Sequence, residues 1–185
     1  VDTKVLRKQY MSLLPALNKT LGQVQEKLSD LPPSDFAVET CLKPYASIKR
    51  KMLTDRARHP SELSDLARGR LFFSEQFLSK EVLDILGQLF AGQVQQIQKK
   101  PDDVHGLEHH GIIDVHLNLD DMPFELQVLP LEYRPFIDML HQIADKFHNP
   151  KERDKLDEHQ QELLKKTHNK IHKGLHQKAS DIRGL

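Results

Sequence analysis

The chain has 185 residues and a formal charge of zero, 27 Lys and Arg against 27 Asp and Glu, so no whole-surface attraction draws it to nucleic acid or an anionic membrane. Any anion site must be local. Its single cysteine, Cys41, can form neither an internal disulfide nor a cysteine-based zinc cluster, and no apolar run approaches the ~20 residues that span a bilayer.

From Val5 to Leu28, apolar residues recur at spacings of three and four, which predicts an amphipathic helix, with a kink at Pro15 or two helices meeting there. Asp30 to Asp35 close it, and the chain up to Pro44 reads as a loop. Tyr45 to Met52 predicts a short helix with Ile48 and Met52 on one face. The run Asp65 to Phe73 reads as a buried strand opened by Asp65. Ser79 is a candidate N-cap for a helix carrying Val82, Leu86 and Phe90 that ends near Gly92. Val94 to Lys99 is either a strand or the tail of that helix. Ile113 to Leu119 alternates strictly, and so does Phe124 to Val128, predicting an antiparallel hairpin turned at Asp121-Met122-Pro123. Phe136 to Phe147 predicts a helix stopped by Asn149-Pro150, and Lys151 to Lys178 one long, largely solvated helix. Helices covering a mixed sheet in one α/β or α+β layer fit this order.

The residues that stand out chemically are charges inside apolar runs. Asp65 and Glu125 are carboxylates on two strands, and burying one is costly unless it is paired or bound to a cation. On neighbouring strands they could share a hard ion such as Mg²⁺; on separate ones they are ordinary outward-facing strand residues. Lys43, Lys49, Arg50, Lys51, Arg68 and Arg70 concentrate positive charge around Asp65, a setting that suits a metal-bridged triphosphate or, equally, a solvated helix face. His168, His172 and His176 recur every four residues, a spacing able to share a zinc or nickel ion, but the sequence offers no second shell to orient them. His116 shares a sheet face with Asp114 and Asn118. Protonation of all 11 histidines would carry the formal charge to +11. Cys41 has no nucleophile pattern and reads as a partly buried thiol.

Four short segments in order resemble the synthetase domain of the RelA/SpoT family, enzymes that move pyrophosphate from ATP to a nucleotide to make guanosine alarmones. They are Lys43-Pro44-Tyr45-Ala46-Ser47-Ile48-Lys49-Arg50-Lys51-Met52, Asp65-Leu66-Ala67-Arg68-Gly69-Arg70, Gly111-Ile112-Ile113-Asp114-Val115-His116 and Glu125-Leu126-Gln127-Val128. The resemblance implies a nucleotidyltransferase-like mixed sheet flanked by helices, in one domain over 1–185: an N-terminal helix to residue 30, a catalytic-like core over 36–148 and a C-terminal helix over 151–178. It implies that Lys43, Ser47 and Lys51 contact ATP phosphates, that Asp65 and Glu125 hold Mg²⁺, with Glu125 alternatively activating the acceptor, and that Arg68, Arg70, His116 and Gln127 line the nucleotide site.

Departures from the family pattern fall on the acceptor side. Ile112 stands where the family carries a guanine-stacking Tyr, and Cys41 and Leu129 stand where it carries arginines. Arg68 in place of a usual Gly, together with Asp114, resembles the toxin and secreted-effector branch, whose members modify adenosine nucleotides or the 3′ end of tRNA. The expectation is therefore transfer from ATP to a nucleotide or tRNA acceptor, or a module of the same fold that binds a nucleotide or protein partner without turnover. The expected setting is cytoplasmic, or a target cell for an effector, with no membrane association and with the terminal helices offering a protein-binding surface.

Overall fold

The computed structural model describes residues 2–54, 57–103 and 105–183, with side chains described as far as Gln177 apart from Thr54. Helix α1 (Thr3–Leu28) is capped by Asp2, whose carboxylate accepts from the Lys4 N–H at 2.8 Å. It runs unbroken through Pro15, which faces solvent, so the expected kink or helix pair is a single helix. Strand β1 (Phe36–Leu42) occupies what reads as loop in the sequence. It is an edge strand with Glu39, Thr40 and Cys41 among its apolar residues, a composition that blurs the alternation.

Helix α2 (Tyr45–Thr54) buries Ile48 and Met52 as expected. Strand β2 (Ala67–Phe73) begins two residues after Asp65, which lies in the preceding turn and not in the strand. Helix α3 (Ser79–Leu89) is capped by Leu78, whose N–H donates to the Glu81 carboxylate at 2.7 Å, so Ser79 is the first helical residue and not the cap. Val94–Lys99 forms strand β3. Strands β4 (Ile113–Leu119) and β5 (Met122–Pro130) form the expected hairpin, but its turn is Asp120-Asp121. Both aspartates have positive φ, 51° and 64°, as a two-residue turn matched to strand twist requires. Lys19 and Gln23 of α1 bind Asp120 at 2.6 and 3.2 Å.

Helix α4 (Ile137–His148) is followed by α5 (Pro150–Arg153), capped by Asn149, and α6 (Glu158–Arg183). The single helix expected from Lys151 is therefore broken between Asp154 and Asp157. Nor is α6 simply solvated, because His168 and His172 are each 1% exposed. No helix among the described residues is long and apolar enough to cross a membrane.

The five strands form one mixed sheet in the order β1-β2-β5-β4-β3, with β2 and β5 parallel and the other pairs antiparallel. One face, carrying Ala67, Leu71, Phe124, Leu126, Val128, Val115 and Leu117, packs against α1, α2 and α3 in the main core. On the other face, Phe72, Leu129 and Ile112 form a smaller cluster with Tyr133, Ile137 and Leu140, flanked by Ile171 and Leu175 of α6. The remainder of that second face is polar.

Candidate active site

Pairing register arranges the polar part of the second face into two rows. Gln98, Asp114, Gln127, Arg70 and Glu39 form one row across the sheet; Gln96, His116, Glu125, Arg68 and Cys41 form the other. Side chains alternate in direction along each strand, so ten residues of five strands share this surface. Gly69, between the two arginines, lets β1 approach closely: a Cβ there would lie 3.0 Å from the Glu39 carbonyl oxygen and 3.1 Å from the Phe124 ring.

Asp65 sits beside these rows. Its Oδ2 accepts from the ammonium of Lys43 and, at 3.0 Å, from that of Lys51. Asp65 and Lys43 are both buried. Burial opposes ionisation of Asp65, but the two lysines outweigh it and hold its carboxyl below the usual aspartate range. For Lys43, burial wins over the attraction of Asp65 and its pKa is lowered. Ser47 lies on α2 one turn before Lys51, half-buried on the same stripe as that lysine.

Glu125 has the opposite environment. Burial, and then the nearby charges of Asp114 and Asp65, push its carboxyl above the usual range. Asp114 is raised in turn, chiefly by burial, although Lys100, His116 and Gln127 oppose the shift. Three carboxylates thus share one low-dielectric region, and Oδ1 of Asp65 and Oδ1 of Asp114 are buried without hydrogen-bond partners among the described residues. Unsatisfied carboxylate oxygens beside a carboxylate that resists ionisation fit a hard divalent cation such as the Mg²⁺ implied by the resemblance.

A cleft of about 320 Å³ opens over β1, β2 and β5, bounded by Asp138 and His141 of α4. Arg68, Arg70, Glu125, Gln127 and Cys41 line it. Arg68 makes no hydrogen bond or ion pair with another described residue, whereas Arg70 is held at 2.8 Å by Asp138 and at 3.5 Å by Glu39. Arg70 also donates to Nδ1 of His141 at 2.7 Å, which requires a neutral imidazole, and burial followed by the Arg70 charge drives the pKa of His141 down to about 2. Cys41 is exposed at this cleft and is not the partly buried thiol expected. His116 is half-buried, its Nε2 at 3.2 Å from Nε2 of Gln98.

Of the residues singled out in the sequence, Asp65, Lys43 and Lys51 meet directly, and Arg68, Arg70, Glu125, Gln127 and His116 share one face. Ile112 and Leu129 are 2% and 0% exposed in the apolar cluster, so neither contributes to the cleft wall. Sequence reasoning missed Lys100, whose charge acts on Glu125, Asp114 and His141, and it missed Glu39, Asp138 and His141. Lys100 directly follows β3, a segment that reads in the sequence as either strand or helix tail, so its side-chain direction had no pattern to show it. Glu39 was hidden with its strand.

No protein-family model matches the chain, and no curated protein matches it. Solved structures do. A GTP pyrophosphokinase family protein from Streptococcus pneumoniae superposes with a TM-score of 0.66 at 18% identity, over 95% of this chain and 93% of that one. The small alarmone synthetase 1 from Bacillus subtilis bound to AMPCPP gives 0.62 at 16% identity, over 96% and 97%. The Type VI effector Tas1, solved in complex with its immunity protein, gives 0.54 at 13% identity, over 95% and 97%. Likeness at such low identity along nearly the whole of each chain is likeness of architecture, and it establishes that this chain has the RelA/SpoT synthetase fold.

Proposed function

We propose that the protein transfers pyrophosphate from ATP to a nucleotide or RNA hydroxyl in a Mg²⁺-dependent reaction, as a toxin or effector domain. The observation that carries this reading is the convergence of Glu125, between Arg68 and His116 in register, with an Asp65 kept ionised by Lys43 and Lys51.

In the reaction, the acceptor oxygen bonds to the β-phosphorus of ATP, the bond from that phosphorus to the oxygen bridging to the α-phosphate breaks, and AMP leaves. Asp65 and Glu125, with Asp114 adjacent, would hold Mg²⁺, which when bound neutralises charge on the transferring group. Lys43 and Lys51, which hold Asp65 in this structure, would also meet phosphate oxygens, and Ser47 lies on the same stripe as Lys51. Arg68 supplies a cation to the cleft. Glu125, its carboxyl raised above the usual glutamate range chiefly by burial, would take the acceptor's hydroxyl proton. Burial of Ile112 leaves the cleft without the aromatic platform that stacks a guanine, which supports an acceptor other than GDP or GTP.

The test is incubation with γ-labelled ATP, Mg²⁺ and a panel of GDP, GTP, AMP, ADP, ATP and bulk tRNA. Label should appear on at least one acceptor and vanish in Asp65→Asn and in Glu125→Gln. Absence of transfer to every acceptor, or transfer that survives both substitutions, rejects the reading. A binding module without turnover is the second reading, favoured by the engagement of Arg70 by Asp138, Glu39 and His141. Mg²⁺-independent binding of ATP without transfer would select it.

A further inference from the structure

A second group of titratable side chains lies outside this cleft, where α6 packs against the segment joining β3 to β4. His168 and His172, one helical turn apart, meet His109 of that segment; all three are at most 9% exposed. The His109 ring stands edge-on to both others at centroid distances of 5.5 Å, and the two helical rings are 4.6 Å apart. One ring nitrogen from each lies within 4.8 Å of the other two.

The hydrogen bonds around the rings decide which nitrogens are free. His168 Nδ1 lies 3.2 Å from Oδ1 of Asn169, so it carries the proton, and Nε2 is left as a buried lone pair without a partner among the described residues. Asn169 is itself oriented by the Glu108 N–H at 2.9 Å and by donation to the Gly106 carbonyl at 2.9 Å. Nδ1 of His172 is likewise a buried nitrogen without a hydrogen-bond partner among the described residues. Two buried ring nitrogens without partners among the described residues, one on each helical histidine and within reach of a third ring, are the arrangement that a histidine-bound metal requires, and the Asn169 contact is the second shell that the sequence did not reveal.

Charges nearby favour a cation, since Asp102, Asp103 and Glu108 act attractively on His109 or His168, with Lys100 opposing at His109.

We propose that His109, His168 and His172 bind one divalent transition-metal ion of the zinc class, which clamps α6 to the segment between β3 and β4. Imidazole donors select Zn²⁺, Co²⁺ or Ni²⁺ over Mg²⁺, so this site is chemically separate from the carboxylate site and stands whether or not the transfer reading does. Zinc–nitrogen bonds of about 2.0–2.1 Å require the three rings to close further around the ion, with a fourth position left for water or another ligand.

The full chain, stripped of metal by a chelator, is titrated with Zn²⁺ against a chromogenic competitor and, separately, with Co²⁺. One equivalent should bind, Co²⁺ should give the intense visible bands of four-coordination, and Zn²⁺ should slow amide exchange in α6 and residues 105–110. His109→Ala and His168→Gln should each weaken Zn²⁺ by on the order of 100-fold, while His159→Ala, at an exposed site on the same helix, should leave it unchanged. The wild-type measurements stand even where a variant fails to fold. Weak six-coordinate Co²⁺ bands, no stoichiometric Zn²⁺ binding, or equal affinity in the His109 and His159 variants would each overturn the site.

Discussion

The two faces of the sheet are built from the same strands at alternate positions, yet they obey different rules. Leu126 and Val128 face a dry core under α1 and α3, while Glu125 and Gln127, one residue away, face charged neighbours and a cleft. The dry face stabilises the fold by removing apolar area from water, at about 25 cal/mol per Å². The charged face sets the charges of Asp114 and Asp65 against Glu125 and leaves one oxygen of each aspartate without a hydrogen-bond partner among the described residues, a cost in stability of the kind that functional sites carry. Fold and site are thus interleaved, so adjacent substitutions should have opposite signatures.

The largest expected effects test this directly. Leu126→Ala should lower stability by about 2–5 kcal/mol in urea unfolding. Glu125→Gln should leave the urea midpoint unchanged or raise it, while abolishing transfer, because it removes a carboxylate that burial disfavours. Equal destabilisation by both would mean that Glu125 is a structural residue. Next in size is Lys43→Met, which leaves buried Asp65 with Lys51 alone and should cost about 3 kcal/mol. Recovery of stability in a Lys43→Met, Asp65→Leu double variant would confirm that the cost comes from the stranded charge.

This interleaving also explains what could be read from the sequence. The hairpin β4–β5 was legible because Ile113 to Leu119 alternates without interruption, but the register that puts His116 opposite Glu125 is set by the Asp120-Asp121 turn, which the pattern placed one residue too late. Strand β1 was not legible, since an edge strand with one neighbour tolerates Glu39 and Thr40, and with it went one wall of the cleft. The break before α6 escaped notice because charged residues look alike in a helix and in a turn. His109 joins His168 and His172 across about sixty residues of sequence, through packing that the four-residue spacing on α6 could not report. The isolated charges Asp65 and Glu125 were visible as anomalies; their environments, one carboxyl lowered and one raised, depend on neighbours from other elements.

A smaller effect sharpens the comparison on the dry face. Gly69→Ala would place a methyl 3.0 Å from the Glu39 carbonyl and 3.1 Å from Phe124, pushing β1 away from β2. The expected cost is about 1–3 kcal/mol. Because β1 carries Glu39 and Cys41 on the cleft wall, ATP affinity should fall with it; unchanged affinity would show that β1 is not needed for binding.

The smallest effect belongs to the charged face and appears as a slope. His141 is neutral in the folded protein, accepting from Arg70, with its pKa lowered to about 2 from 6.5. Below pH 6.5 the unfolded chain takes a proton at this position and the folded chain does not, so stability falls with falling pH, from 6.5 toward about 2. Each such group contributes at most about 1.4 kcal/mol per pH unit, and only about 1 kcal/mol over the first unit below 6.5. Glu125 and Asp114, whose carboxyls are raised, act in the opposite sense at lower pH, so the reading is the difference between wild type and His141→Gln, with unfolding measured from pH 7 to 5.5. The variant should show the shallower loss on acidification, whatever its stability at pH 7. An identical slope would mean that His141 takes up its proton alike in the folded and unfolded chains and that the hydrogen bond from Arg70 does not hold it neutral, leaving Asp138 and Glu39 as the groups that fix Arg70 at the cleft.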